Sequence, residues 1–291
     1  MLSLDSPKWK EFRTAYGSAE RIPALVRAIA EEKEVSYSRD LAEMRRNPSP
    51  WEEVYNHLCH QYSICLATYA AFPHLVSIAE QGNLGKQLEA LTLSGAICAF
   101  GEMGEEDTVT EELLEPFETA MKKMKQMSLD IVRRAVAEKR LENYPLPYLL
   151  QSVLAIRFGK HVVVQSLDHL VDKDCELEGE CPECGSYMII EVRDVPATKP
   201  VDEKGRPDVK RRIPGVVDQA AHALELEEGQ RLIADTSEYS WKADDVVAIG
   251  AALALAFDDK SLSTRILNLH SKITCPACKH QFRITEGILE I

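Results

Sequence analysis

Ile22-Pro23-Ala24-Leu25-Val26-Arg27-Ala28-Ile29 is the stretch from which the fold class can be read. Its apolar residues Ile22, Leu25, Val26 and Ile29 fall at i, i+3, i+4 and i+7, the spacing that lines one face of a helix. The same motif, apolar-Pro-x-Leu-apolar, returns at Phe72-Pro73-His74-Leu75-Val76 and at Leu146-Pro147-Tyr148-Leu149-Leu150. A second echo links Ser94 through Phe100-Gly101 with Ser152 through Phe158-Gly159. The intervals are irregular, so the pattern reads as helical hairpins stacked side by side, each burying its apolar face on a neighbour, and not as a regular array.

Start and stop signals agree with a run of helices over the first 174 residues. Ser6-Pro7 looks like an N-cap followed by proline at the first helical position, and Gly17 stands where a terminating glycine would end that helix. Ser18 can cap the next one. Ser49-Pro50, followed by Glu52 and Glu53, repeats the start signal with acidic residues at the positive helix end. Leu88 to Phe100 and Leu113 to Leu141 are further helical stretches, punctuated by Gly101 and Gly104. Pro73 inside its stretch predicts a bend, because proline removes a helical hydrogen bond.

After Asp174 the texture changes. Glu176 to Glu178, Tyr187 to Val192, Ile273-Thr274 and Gln281 to Ile284 read as short strands flanking two cysteine pairs, Cys181-Pro182-Glu183-Cys184 and Cys275-Pro276-Ala277-Cys278. Two residues between cysteines let both sulfurs reach one tetrahedral ion. Gly185, after the first pair, supplies the positive φ that a chain wrapping around a metal needs, whereas the second pair has Lys279 there. Strand–knuckle–strand, twice, is the layout of a zinc ribbon, here split by about 90 residues. The expected organisation is a helical-repeat domain over 1–174, a split ribbon over 175–194 plus 272–291, and an insertion over 195–271 packing on the helical layer. The insertion opens with a polar stretch, Pro196 to Pro214, and continues with helices at Val217 to Leu226, Ala243 to Phe257 and Leu262 to Ser271. Val246 to Ala256 is apolar all round, so that helix should be buried.

Composition bounds the function. The 291 residues carry a net charge of −13, which argues against nucleic acid and anionic membranes as partners. The N-terminus shows no secretory pattern and no window is apolar enough to span a bilayer. Eight cysteines without an export signal fit a reducing cytoplasm better than a disulfide framework. Cys59, Cys65 and Cys98 lie in apolar helical patterns, where a free thiol is a small hydrophobe.

Asp5-Ser6-Pro7-Lys8-Trp9 through Ala15-Tyr16-Gly17-Ser18-Ala19, Leu58-Cys59-His60-Gln61, Ala67 to Val76 and both knuckles together resemble a group of bacterial HEAT-like proteins with a split C-terminal cysteine motif. Some relatives of that group are similar to immunity proteins of toxin systems. The resemblance implies a helical scaffold and a protein partner, and it supplies no active site.

Other constellations compete. Cys175 and His280 are possible substitute ligands, though a strand-end cysteine and a surface histidine are the simpler readings. Glu53, His57 and His60 share a helix face and could form an open metal site for a hydrolase, although the spacing is not H-E-x-x-H. His60, Gln61, Tyr69 and His74 are the candidate binding residues, on a helical surface where Tyr62 and Tyr69 lie seven apart. Lys210-Arg211-Arg212 is the compact basic run and reads as a solvated loop. No nucleotide-binding or nucleophile-elbow motif occurs. The expectation is a mainly α scaffold that binds another protein, with a structural zinc on Cys181, Cys184, Cys275 and Cys278; a nucleic-acid-binding ribbon and a hydrolase on His57 and His60 are the alternatives.

Overall fold

The computed structural model describes residues 1–35, 46–104, 107–171, 175–192 and 246–289, which form a mainly α fold with four two-stranded sheets. The loop at 196–214 with its basic run, the helix expected over 217–226 and residues 243–245 lie outside these described residues. Contacts divide the chain into two compact units, Met1–Tyr144 with Ala155–Lys160, and Pro145–Leu154 with His161–Ile291. The boundary thus falls ahead of the change of sequence texture at 174, which marks where the cysteine-bearing hairpins begin.

The first unit corrects one expectation at once. Ser6 does cap, accepting from the Lys8 N–H, but it opens only a four-residue 3-10 turn, Pro7–Lys10. The chain then forms a hairpin of β1 (Arg13–Thr14) and β2 (Gly17–Ser18), and Gly17, at φ +104°, serves that turn instead of ending a helix. Trp9 and Phe12, packed edge to face at 5.9 Å, anchor the segment in the core. Ser18 accepts from the Glu20 N–H and starts the turn that leads into α1 (Ile22–Glu31). Ser49 and Glu52 form a reciprocal capping box at the head of α2 (Pro50–Leu58). There follow β3 (Ser63–Ile64), α3 (Leu66–Gln81), α4 (Leu84–Phe100), β4 (Glu102–Met103) parallel to β3, and α5 (Glu111–Ala137). α1 packs on α2 and α3, α3 packs on α4, and α5 packs on both α3 and α4. Trp51, Phe72, Leu88, Met124 and Ile131 are among the fully buried side chains.

The two sequence echoes have different physical standing. Pro23 and Pro147 sit in the first turns of α1 and of α6 (Leu146–Phe158), where a missing N–H is harmless, but Pro73 lies buried in the middle of α3, which runs on through it. The serine echo is a shared device. Ser94 and Ser152 are both buried, each donates to the carbonyl four residues back (Ala90 and Tyr148), and each helix stops before its glycine.

In the second unit, α6 contributes Leu146 to Leu154, followed by α7 (Val162–Gln165), the 3-10 turn Ser166–Leu170, α8 (Val246–Ala256) and α9 (Lys260–Asn268). Val246 through Ala254 are buried, as an all-apolar helix requires. Gly250 allows the close approach: a Cβ there would stand 3.2 Å from Leu154 Cδ1. Two antiparallel hairpins complete the unit, β5 (Cys175–Glu180) with β6 (Tyr187–Val192) and β7 (Lys272–Thr274) with β8 (Gln281–Arg283), and the turn α10 (Ile284–Gly287) ends them.

Candidate metal centre

Each hairpin carries its cysteine pair in the turn, and the two turns share one backbone design. In the first, the Gly185 N–H donates to Cys181 O (2.8 Å) and the Cys181 N–H to Ser186 O (3.0 Å). In the second, the Lys279 N–H donates to Cys275 O (3.1 Å) and the Cys275 N–H to His280 O (2.9 Å). Gly185 and Lys279 stand at φ +68° and +65°, so the lysine adopts the left-handed conformation that the glycine adopts freely.

The turns bring all four sulfurs within 4.8 Å of one another, with Cys181 to Cys278 and Cys184 to Cys275 at 3.7 Å. A tetrahedron with metal–sulfur bonds of about 2.3 Å, the zinc thiolate value, has edges of about 3.8 Å. The donor set therefore fits a tetrahedral metal ion. Among the described residues it is the one group of three or more His, Cys, Asp or Glu donors that converges. Cys181 and Cys275, the first of each pair, are buried with Phe282 against Met188 and Ile273, while Cys184 and Cys278 face solvent. A bridge from Gly179 to Ile288 and the Leu289 N–H on Glu178 O (3.1 Å) join the hairpins away from the sulfurs.

The surroundings shift three of the thiols, Cys184, Cys275 and Cys278. Hydrogen bonds from Ser186, side chain and backbone, hold Cys184 down at about 6. The Cys278 N–H likewise pulls Cys275 below the usual thiol range. Cys278 goes the other way: the His280 N–H favours its thiolate, but desolvation and the three neighbouring sulfurs push it up to about 12. Like charges this close cannot all form unless a metal compensates them.

Cys175 is buried and donates to Val192 O (2.8 Å), and His280 stacks on Phe282; neither joins the four. Of the three remaining cysteines, Cys59 and Cys98 are pushed by burial to about 11, the thiol form.

The residues read as a second metal site have other engagements. His57 Nδ1 meets Thr14 Oγ1 and His60 Nδ1 meets Tyr16 Oη, both at 3.0 Å, and Glu53 accepts from Arg21 at 3.0 Å. Tyr16 packs edge-on against both imidazoles, at 5.3 and 4.9 Å, so the hairpin loop clamps the end of α2. Burial, with Arg21 adding to it, holds His57 below its ordinary value. Gln61 and Tyr62 both have left-handed φ, +45° and +68°, in a tight turn closed by the Ser63 N–H on His60 O. Gln61, Tyr16 and Tyr62 are exposed, so this side presents a polar-aromatic surface. Tyr69 and His74 face inward by comparison: Tyr69 packs on Phe117 at 4.5 Å, and His74 Nε2 donates to Leu2 O at 2.7 Å.

Sequence reasoning missed Glu89. It accepts from the Tyr144 hydroxyl at 2.8 Å, and burial, helped by Glu52 and Glu32, raises it to about 8. The available signal was an acid flanked by Leu88, Ala90 and Leu91.

No protein family, no curated protein and no solved structure matches this chain.

Proposed function

We propose that the chain is a non-enzymatic scaffold that binds another protein, its C-terminal half held by one structural zinc on Cys181, Cys184, Cys275 and Cys278. The carrying observation is that four thiols supply all four tetrahedral positions, which leaves none for water or substrate. Zinc supplies the charge that the crowded thiolates require and couples its binding to folding of the ribbon. The exposed side around His60, Gln61, Tyr16 and Tyr62 is the surface offered to a partner, in keeping with the resemblance to HEAT-like and immunity-type proteins. A reducing compartment such as the cytoplasm suits eight free thiols.

A nucleic-acid role finds its support in the second hairpin, where Lys272, Lys279, His280 and Arg283 stand without an acid. Lys279 Nζ and an Arg283 Nη are nevertheless engaged by the Pro276 and His270 carbonyls, and the neighbouring hairpin is strongly acidic. Elemental analysis of purified protein is the first test, with and without Cys181→Ser. One zinc per chain, lost in the variant, is expected. Two metals, one surviving the substitution, would overturn the non-enzymatic reading. For the partner, a pull-down from the native host with wild type and Gln61→Ala/Tyr62→Ala should recover a specific protein that the variant loses.

A further inference from the structure

The first hairpin carries a chemistry that the metal centre leaves unused. One face of β5–β6 is buried through Cys175, Leu177, Ile190 and Val192. The other face pairs Glu176 with Glu191, Glu178 with Ile189 and Glu180 with Tyr187. Like charges directly opposite one another weaken a sheet, so this arrangement does not serve the sheet itself. With Glu183 in the knuckle, Cys175 to Val192 holds five carboxylates and no Lys or Arg. Between them Tyr187 and Ile189 are 54% and 50% exposed.

This face floors a groove of about 480 Å³. Ser166 and His169 contribute to its lining, with Ile288 and Leu289 beside Glu176, Glu178 and Ile189. The lining thus combines apolar side chains with carboxylates, and none of these carboxylates belongs to a converging metal-ligand group. Phosphate-bearing partners, nucleic acid or anionic membrane, are repelled by such a surface. The side chains that fit are Lys and Arg, whose aliphatic stems lie on apolar surface while their cations reach the acids.

We propose that this groove docks an extended, Lys- or Arg-bearing segment of a partner protein, the stem of a basic residue lying on Ile189, Ile288 and Leu289 and its cation meeting Glu176 and Glu178. The proposal rests on the scaffold reading only in taking the partner to be a protein. Charge complementarity selects the partner, and the apolar floor separates docking from diffuse attraction to an acidic molecule.

The test is fluorescence anisotropy on the full-length, zinc-loaded chain, with a labelled, end-blocked peptide of alternating valine and lysine about eight residues long. Saturable binding at about 0.15 M salt is expected, with none to the valine–glutamate counterpart. Glu176→Lys/Glu178→Lys should weaken it by about tenfold or more, and Ile189→Ser severalfold. Glu11→Lys/Glu118→Lys, an equal change of charge on the helical unit, should weaken it much less. Equal weakening by the two pairs would reduce the effect to overall charge and overturn the proposal, as would no saturable binding to wild type. Binding that emerges only after Lys210, Arg211 and Arg212 are all changed to Ser would give the groove to this chain's own basic run, and also overturn it. Failure here leaves the scaffold reading standing on the His60–Gln61 side, which the pull-down tests separately.

Discussion

The ribbon and the helical unit Met1–Tyr144 are held together by different physics. The two knuckles meet on a small cluster, Cys181, Cys275 and Phe282 with parts of Met188 and Ile273, while the helical unit buries Trp51, Phe72, Leu75, Leu88, Leu91, Met124 and many more. At about 25 cal/mol per Å² of apolar surface, so small a cluster does little to fix two knuckles whose cysteines lie 91 residues apart. Small modules in that position need a staple, and four thiols placed to hold one ion would supply it. The lesson is that the ribbon should depend on metal and redox state, while the helical unit should depend on neither.

The sharpest way to break this comparison is Cys181→Ser. Structural zinc sites bind with about 10–16 kcal/mol in isolated peptides, so the variant should lose its metal and the ribbon's melting transition. Calorimetry should show the helical unit's transition unmoved; a single, wild-type-like profile would mean that the two regions do not differ as argued.

The second contrast is the sign of the pH response. The ribbon needs deprotonated thiols, so it should weaken as pH falls. Glu89 makes the helical unit respond oppositely, because its folded value of about 8 lies above the unfolded 4.5. Its contribution is fully present below pH 4.5 and is lost as pH rises through about 8. The loss is roughly 2–4 kcal/mol, reduced from the full shift because the side chain keeps some exposure. Denaturant titrations at about pH 5 and about pH 8.5 should show it, and Glu89→Gln should flatten the difference while keeping the Tyr144 hydrogen bond.

Smaller changes sharpen the picture within the ribbon. A Cβ on Gly287 would meet Glu180 O at 2.7 Å and press on the Phe282 ring. Gly287→Ala should therefore loosen the joint by about 1–3 kcal/mol, read as a lower melting point of the zinc-loaded protein. The smallest effect concerns the two knuckles. Lys279 holds φ +65° without glycine's freedom, and its Nζ bond to Pro276 O (2.8 Å) is exposed. Lys279→Gly should stabilise the zinc-loaded form by up to about 1 kcal/mol, and Gly185→Ala should destabilise it by about as much. Equal melting points for all three proteins would show that the left-handed residue is not a source of strain.

What could be read in the sequence was what is encoded locally. The CPxC pairs, the Ser49–Glu52 box and the all-apolar Val246–Ala256 helix each carry their signal within a few residues, and the structure has all of them. Gly17 misled because a positive φ serves a hairpin turn as readily as a helix end. Pro73 does not end α3, because packing of Phe72, Leu75 and Val76 in the core outweighs one missing hydrogen bond. The Tyr16 clamp on His60 and the Tyr144 bond to Glu89 span 44 and 55 residues, so nothing near either residue in the sequence announces the partner.

The separation of the two knuckles also has a consequence in time. A ribosome that has just made Cys184 must add 91 more residues before Cys275 exists. At about 5–20 residues per second, the first pair waits roughly 5–20 seconds with half a coordination shell. During that interval Cys181 and Cys184 are two thiols on a tight turn, as open to oxidation as to zinc. The first knuckle is therefore the vulnerable one during synthesis, and the reducing power of the compartment decides how many chains reach the second.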